Sequence, residues 1–432
     1  MTMRNRRVLI VSYFFPPRPA VGSLRLKGLA KYLPEHGWAP VILTAALPAE
    51  PDRSFNVIQT AYPGSTSDYW KGKLLLTPGK GFQEQIGVPA AQREGKKPLT
   101  TKLVNIFKSV VAYPDEEKRW VPFAINAGLN LLQNTKIDAI ISSSGPYICH
   151  LIAKELKARH GLPWIADLRD LWTQNHYYSY GFPRLFFERR LELNTLGLAD
   201  ALVTVSDPLA QKLKSLHRNK RVLAITNGFD IDDVASEPLT KEFTITYTGQ
   251  LYQGKRDPAL LFQAISELIA EGLIDGSQIR IRFFGEAPYW LEQEIIHYQL
   301  SKVVSLHSKV PRDVALCKQR ESHVLLLLNW DDPSEKGVYT GKVFEYLAAK
   351  RPILALGGPG GVVEELLNET STGIHINALD DLKVLLKLWY QEFKLRSSVS
   401  YNGAWDAIEK YSHREMARKF AHLLDEVTGA QL

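Results

Sequence analysis

The chain has 432 residues, of which 45% are hydrophobic and 23% charged. That length suits two domains of about 200 residues each better than one core, and the composition excludes disorder as the main state. Lys and Arg outnumber Asp and Glu by 53 to 46, a formal net charge of +7, which fits an anionic partner: nucleic acid, a membrane surface or a phosphorylated ligand.

The first predicted strand is RVLIVSY (7–13). Basic residues before an apolar run superficially mimic a signal peptide, but the run is short, ends in Pro16-Pro17 and has no small-residue cleavage site, so a strand explains it better. A helix over LRLKGLAKYLPEHG (24–37) closes on a glycine, and APVILTA (39–45) is the next strand. Residues 48–112 form a poorly patterned insert rich in Gly, Pro and Lys. Within it, residues 70–110 hold eight Lys/Arg against two Glu. Neither an aromatic-basic strand signature nor a finger spacing accompanies that charge, so nucleic acid is not the expected partner. Helical spacing resumes at VPFAINAGLNLLQ (121–133). It is followed by the strand IDAIISSS (137–144), the helix YICHLIAKELKARHG (147–161), and the strands PWIADL (163–168), ALVTVS (201–206) and RVLAITNG (221–228). Cys149 and Cys317 are the only cysteines. Both lie in mostly apolar segments and read as free thiols in a reducing compartment.

A polar, acidic stretch (229–242) reads as a linker, and the pattern then restarts. FTITYTG (243–249) is a strand, PALLFQAISELIAEG (258–272) a helix, and IRIRFFG (279–285), VVSLHS (303–308), HVLLLLN (323–329), RPILALG (351–357) and TGIHI (372–376) are strands. No stretch reaches 18 apolar residues, the length needed to span a bilayer. Apolar strands alternating with helices predict an α/β protein built of two doubly wound, Rossmann-like domains. The expected boundaries are 1–235 with the basic insert, then 236–400, then a helical tail (401–432) that packs back across the junction. Ligands in such sheets collect at the carboxyl ends of the strands, and two facing domains suit a donor and an acceptor that must meet.

Five stretches carry candidate chemistry. In YTGKVFEYLAAKRPILALGGPGG (339–361), a helix starts at Thr340 or Gly341, with Lys342 in its first turn and Glu345 three residues on. Helix amino termini attract anions, and a lysine there opposes the helix field unless an anion joins it. Lys342 on phosphate and Glu345 on ribose hydroxyls is one reading. The other is an exposed Lys–Glu pair stabilising the helix by about 0.3 kcal/mol. The turn GGPGG places Gly358, Gly360 and Gly361 after a strand and before a helix, where backbone N–H groups would meet phosphate or sugar, unless it is only a flexible turn. It is neither GxGxxG nor a Walker loop. In TGQLYQGKRDP (248–258), Gly249 ends a strand, and Lys255 and Arg256 would neutralise a diphosphate or simply face water. In SYFFPPRPAVGSLR (12–25), Gly22 and Ser23 precede a helix and would approach a phosphate or sugar; Arg25 is an anion contact or a surface residue. In ADLRDLW (166–172), Asp167, Arg169 and Asp170 follow a strand. They line a cleft, or Arg169 bridges the aspartates and fixes the loop. Nucleophile-elbow, HExxH and histidine-cluster patterns are absent, so no metal is expected to be essential.

Taken in order, VLIVSYFFPPRPAVGSLRLKGLAKYLPEHGWAPVILT (8–44), IADLRDLW (165–172), VTVSDPLAQKL (203–213), ITNGFD (225–230), TYTGQLYQGKRDP (246–258) and TGKVFEYLAAKRPILALGGPGG (340–361) resemble the retaining glycosyltransferases of the GT-B fold, glycosyltransferase family 4. Their DLRDLW and GKVFEYLAAKRPIL forms look like the branch that builds bacterial surface polysaccharides such as lipopolysaccharide and capsule. The resemblance implies a nucleotide-diphosphate sugar bound by the second domain and a saccharide or lipid-linked acceptor bound by the first. It gives Glu345 the ribose. The family's other glutamate falls on Gly337, with Glu335 nearby but out of register, and its first basic residue falls on Gln250, with Lys255 matching the second. Arg169 stands at the strand end where many members carry a histidine.

The implied chemistry is transfer with retention. Lys255, Arg256 and Lys342 stabilise the departing diphosphate, Arg169 stands on the facing side, and no cofactor beyond the donor substrate is used. The insert mixes cations with Leu, Phe, Val and Ile, which implies a cytoplasmic protein resting on the inner face of an anionic membrane, unless the segment is an ordinary packed helix. Two other classes stay open: a nucleotide-sugar epimerase of the same fold, and a catalytically silent nucleotide-sugar-binding subunit, to which Gly337 lends support.

Overall fold

The computed structural model describes residues 6–18, 21–66, 69, 113–178 and 181–429. Most of the insert lies outside that range, including all of its basic stretch from residue 70 to 110. The chain divides into two compact units, Met1–Ile225 with Ala417–Leu432, and Thr226–Met416.

In the first unit, β1 (Arg6–Val11), β2 (Trp38–Ala45), β3 (Val57–Thr60), β4 (Ala139–Ser143), β5 (Trp164–Asp167), β6 (Ala201–Thr204) and β7 (Arg221–Ala224) form a parallel sheet in the order β3-β2-β1-β4-β5-β6-β7. The central strands read as unbroken apolar runs because helices cover both faces of the sheet. Leu9, Val11, Ile140 and Trp164 are fully buried. The helices of this unit are α1 (Val21–Tyr32), α2 (Val121–Asn134), α3 (Ile148–His160), α4 (Phe182–Leu196) and α5 (Asp207–Leu216). Strand β3 falls inside the stretch read from sequence as unpatterned. Only four residues long, it is fixed by its register with Ile42–Ala45 and by Thr60, whose hydroxyl accepts the Trp120 indole N–H at 2.6 Å.

In the second unit, β8 (Phe243–Thr248), β9 (Ile279–Phe284), β10 (Val304–His307), β11 (Val324–Leu328), β12 (Ile353–Leu356) and β13 (Gly373–Ile376) are parallel in the order β10-β9-β8-β11-β12-β13. One apolar layer packs α6 (Ala259–Ala270), α7 (Tyr289–His297) and α11 (Leu379–Arg396) on one face. The other packs α9 (Gly341–Ala349), α10 (Val362–Thr370) and α12 (Trp405–Glu409). Residues Arg312–Arg320 form α8. The last helix, α13 (His413–Val427), buries Phe420 and Leu424. Its Asp425 carboxylate accepts the Trp38 indole N–H at 2.8 Å, which ties it to the first unit.

Both sheets reverse their winding direction once, between β1 and β4 and between β8 and β11. In open sheets of this kind, the carboxyl ends of that strand pair are where the connecting loops diverge and a ligand crevice forms. Among the described residues, no helix is long and apolar enough to cross a membrane.

Candidate functional site

The crevice of the second unit is built from the exits of β8, β11 and β12. Helix α9 follows β11 and begins after Thr340, so Lys342 stands in its first turn. Tyr346 pins this helix: its buried hydroxyl accepts the Thr248 N–H at 3.3 Å and donates to the Leu326 carbonyl at 3.1 Å. The Lys342 stem is thereby laid across Gly249, where a Cβ would stand 2.3 Å from Cε. Gly249 has φ +127, so both its backbone conformation and its bare Cα exclude a side chain. The Lys342 ammonium lies 5.1 Å from the centre of the Tyr247 ring. Burial, reinforced by Arg256 and opposed by Glu345, pulls its pKa down to about 8.

The loop after β8 brings Lys255 and Arg256 to the same crevice through aromatic faces. Tyr252 and Trp330 stack with ring centres 6.2 Å apart and planes within 6°. Lys255 Nζ lies 4.0 Å from the Trp330 ring centre, and the Arg256 guanidinium carbon 5.6 Å from that of Tyr252. Trp330 leaves β11 and Tyr252 leaves β8, so the stack joins the two loops that diverge at the winding reversal. Arg256 Nε is buried without a hydrogen-bond partner.

Glu345 faces the preceding helix, α8, and does not pair with Lys342. Its carboxylate accepts Arg312 Nε at 3.2 Å and Gln319 Nε2 at 3.4 Å. Buried Gln319 also donates to the Thr248 hydroxyl at 2.9 Å, so Glu345 is oriented from β8 as well as from α8. Gly358, Gly360 and Gly361 all have positive φ and carry the turn from β12 into α10. Asn377 holds that turn, accepting the Gly357 N–H and donating to the Gly358 carbonyl. Gly358 packs against Asn329 and Trp330, Gly360 against Glu364, and Gly361 against the Lys336 carbonyl. Gly337 ends a short 3-10 turn (Pro333–Gly337) in the loop between β11 and α9 and is buried.

The crevice of the first unit has a different electrostatic plan. Arg25, on α1, forms a two-pronged pair with Asp167 at the end of β5, at 3.0 and 2.9 Å. Ser143 donates to the same carboxylate at 2.8 Å, and both ionic side chains are buried. Arg169 does not bridge the aspartates. Its Nε donates to the Ser144 carbonyl at 2.6 Å, and its guanidinium covers Gly22, where a Cβ would stand 2.1 Å from Nη1. Burial, opposed by Asp170 and Asp167, lowers the Arg169 pKa. Ser23 is buried in the first turn of α1, and Asp170 is exposed. Fully buried His150 sits beside this group. Its Nδ1 is 2.7 Å from the Ser142 hydroxyl, which also accepts the Trp164 indole N–H, and burial lowers its pKa to about 4.

The structure thus brings Lys255, Arg256, Lys342 and Gly249 together in one crevice, with Glu345 and the glycine turn on its flanks. In the other it gathers Gly22, Arg25, Asp167 and Arg169. Sequence reasoning passed over Tyr252, Trp330, Gln319 and Arg312. The signal for Trp330 was available, since LLLLNW puts an aromatic ring directly after a buried strand.

Residues 24–233 match the family model described as Glycosyltransferase Family 4. No curated protein matches the chain in sequence. Among solved structures, Anabaena HepE in complex with UDP and glucose is similar at 13% identity and a TM-score of 0.59, over 98% of this chain and 100% of that one. Sucrose-phosphate synthase from Thermosynechococcus elongatus gives 13% and 0.59 over 99% and 100%. A glycosyltransferase from Rickettsia africae ESF-5 gives 14% and 0.58 over 99% and 100%. Residues 24–233 thus carry the pattern of glycosyltransferase family 4, and the chain as a whole has the two-unit GT-B fold of these structures.

Proposed function

We propose that the chain transfers a sugar from a nucleotide-diphosphate donor to a hydroxyl of a saccharide or lipid-linked acceptor, with retention at the anomeric carbon. The observation that carries this reading is Lys342, a largely buried cation at the β8–β11 winding reversal, with Arg256 as a second cation and Lys255 on the adjoining aromatic stack. Gathering like charges this way is unfavourable until a polyanion joins them. HepE, a structural neighbour, is known in complexes with UDP and with UDP-glucose, which supports a nucleotide sugar as that ligand.

In this reading, the diphosphate gains negative charge as the anomeric bond breaks, and the three cations stabilise that state more than the ground state. The leaving phosphate takes the proton of the acceptor hydroxyl, which attacks from the face the diphosphate vacates. Glu345, held by Arg312 and Gln319, accepts hydrogen bonds from the ribose. No metal is required to neutralise the diphosphate. In the first unit, Arg169, lying over Gly22, and exposed Asp170 offer the surface for sugar and acceptor, with Ser23 buried beneath, and the Arg25–Asp167 pair fixes the loop that carries Arg169. The acceptor lies at the inner face of an anionic membrane, in the synthesis of a bacterial surface polysaccharide. The basic composition of residues 70–110 supports that placement.

Steady-state transfer with Lys255→Ala and Lys342→Ala tests the reading: kcat falls in both more than acceptor binding weakens. Unchanged kcat in both overturns it. Conversion of the donor without any acceptor identifies an epimerase, and tight nucleotide binding without turnover identifies a silent subunit.

A further inference from the structure

Helix α4 (Phe182–Leu196) packs Leu191 and Leu196 on the core, yet divides its other residues unusually for an amphipathic helix. Its two central carboxylates face inward and are buried. Glu188 pairs with Arg184 at 2.6 Å, and Glu192 accepts the N–H and hydroxyl of Thr173 and lies 3.3 Å from His217. Its aromatic rings face outward: Phe182 is 80% exposed, Phe186 54% and Phe187 59%. Phe182, Phe186 and Leu193 recur at helical spacing, so they form one stripe, and exposed Arg189 and Arg190 fall on the same arc. An exposed leucine or phenylalanine alone needs no explanation. A stripe of them beside buried carboxylates does, because burying Glu188 and Glu192 required specific partners while the apolar groups were left to water.

The charge on the stripe selects what covers it. Arg189 and Arg190 have no ion pair or hydrogen bond among the described residues, and both glutamates of the helix's central turns are turned away from them. A second copy of the chain meeting this face across a two-fold axis would set arginine against arginine. An anionic bilayer has no such conflict. Its headgroups meet the arginines, and its acyl boundary takes up the phenylalanines and the leucine, the mixture that seats interfacial helices.

We infer that α4 is a membrane-docking helix, which inserts Phe182, Phe186 and Leu193 at the acyl boundary of an anionic bilayer while Arg189 and Arg190 contact lipid phosphates. This extends the lipid-linked acceptor of the reading above, yet it is measured without glycosyl transfer, so the two can fail separately.

The test is flotation of the full chain with vesicles of phosphatidylcholine alone and with vesicles of phosphatidylcholine and phosphatidylglycerol, at low and high salt. The wild type is expected to float only with the anionic vesicles, and less at high salt. Phe182→Ser/Phe186→Ser and Arg189→Glu/Arg190→Glu are each expected to lower the partition coefficient at least about tenfold, since each basic residue near an anionic surface is worth about fivefold. All four positions are exposed, and an unchanged thermal midpoint confirms that the variants fold. Flotation of the phenylalanine variant at the wild-type level overturns the inference, as does failure of the wild type to bind anionic vesicles at low salt. A concentration-dependent dimer that this variant abolishes, with no vesicle binding by the wild type, overturns it in favour of a second copy.

Discussion

The Lys342 side chain crosses directly over Gly249, with Cε 2.3 Å from where a Cβ of that residue would stand. A side chain at Gly249 therefore cannot be added without moving Lys342. Gly249→Ala meets both the lysine stem and a backbone at φ +127, so it displaces the ammonium from the crevice as well as straining the turn, at a cost of about 1–3 kcal/mol. Titration calorimetry with UDP is expected to show at least tenfold weaker binding than wild type, an energy of about 1.4 kcal/mol. Denaturant unfolding is expected to show a matching loss of stability. Unchanged affinity would mean that Lys342 does not touch the nucleotide.

The pH dependence of binding has a defined sign. Burial and Arg256 hold the free Lys342 near a pKa of about 8, so the ammonium is charged below that value and progressively lost above it. An anion stabilises the charged form. UDP affinity is therefore expected to fall by about tenfold between pH 7 and about 9, above the last phosphate ionisation and below that of the uracil ring. Lys342→Arg is expected to abolish this fall, because guanidinium stays charged throughout. The same decline in both proteins would place the titrating group elsewhere.

Glu345 offers a test of ribose recognition. Arg312 and Gln319 hold its carboxylate in place, so Glu345→Ala removes a fixed acceptor. The variant is expected to lose about 1–3 kcal/mol of UDP binding and to bind UDP and 2′-deoxy-UDP alike, where wild type prefers the ribonucleotide. A variant that keeps the preference rules Glu345 out as the ribose contact.

How much of this was visible beforehand differs between the two crevices. Central strands such as VLLLL (324–328) announce themselves because both faces are buried, and the glycines after them mark the exits. Lys342 and Glu345 were legible because both lie within one turn of a single helix. The Arg25–Asp167 pair was not: 142 residues separate the partners, and only the parallel order of the sheet brings them together. Sequence allowed Arg169 as the bridge between two aspartates, whereas the fold supplies Arg25 from a helix on another strand's exit. Helices α4 and α11 escaped notice for a related reason. Exposed Phe182, Phe186, Val384, Leu388 and Leu395 blur the apolar periodicity that would reveal a buried face.

The Arg25–Asp167 pair predicts asymmetric mutational costs. Asp167→Leu alone leaves a buried guanidinium without its carboxylate counter-ion and is expected to cost about 3–5 kcal/mol in urea unfolding. Arg25→Met/Asp167→Leu together are expected to recover most of that loss, because the costly state is the unpaired charge. Equal destabilisation in the single and double variants would show that packing, not charge pairing, sets the cost.

Asp115 links stability to pH. Burial, reinforced by Glu117 and Glu188 and opposed by the Ile148 N–H that its carboxylate accepts at 2.8 Å, raises its pKa to about 7. The folded chain therefore holds a proton that the unfolded chain releases at about pH 4. The resulting stability is fully present below the unfolded value and is lost as pH rises through about 7. Asp115→Asn keeps the acceptor and is expected to flatten the stability profile across that window, as read by urea midpoints from pH 4.5 to 7.5. An unaltered profile would assign the titration to another group.

The central claim is that the cations at the β8–β11 reversal receive the diphosphate. A crystal structure with UDP bound tests it most directly. The expected result places both phosphates within hydrogen-bonding reach of Lys342 and Arg256, with Lys255 close by and Glu345 on the ribose. UDP bound elsewhere, with all three cations away from phosphorus, would contradict the account.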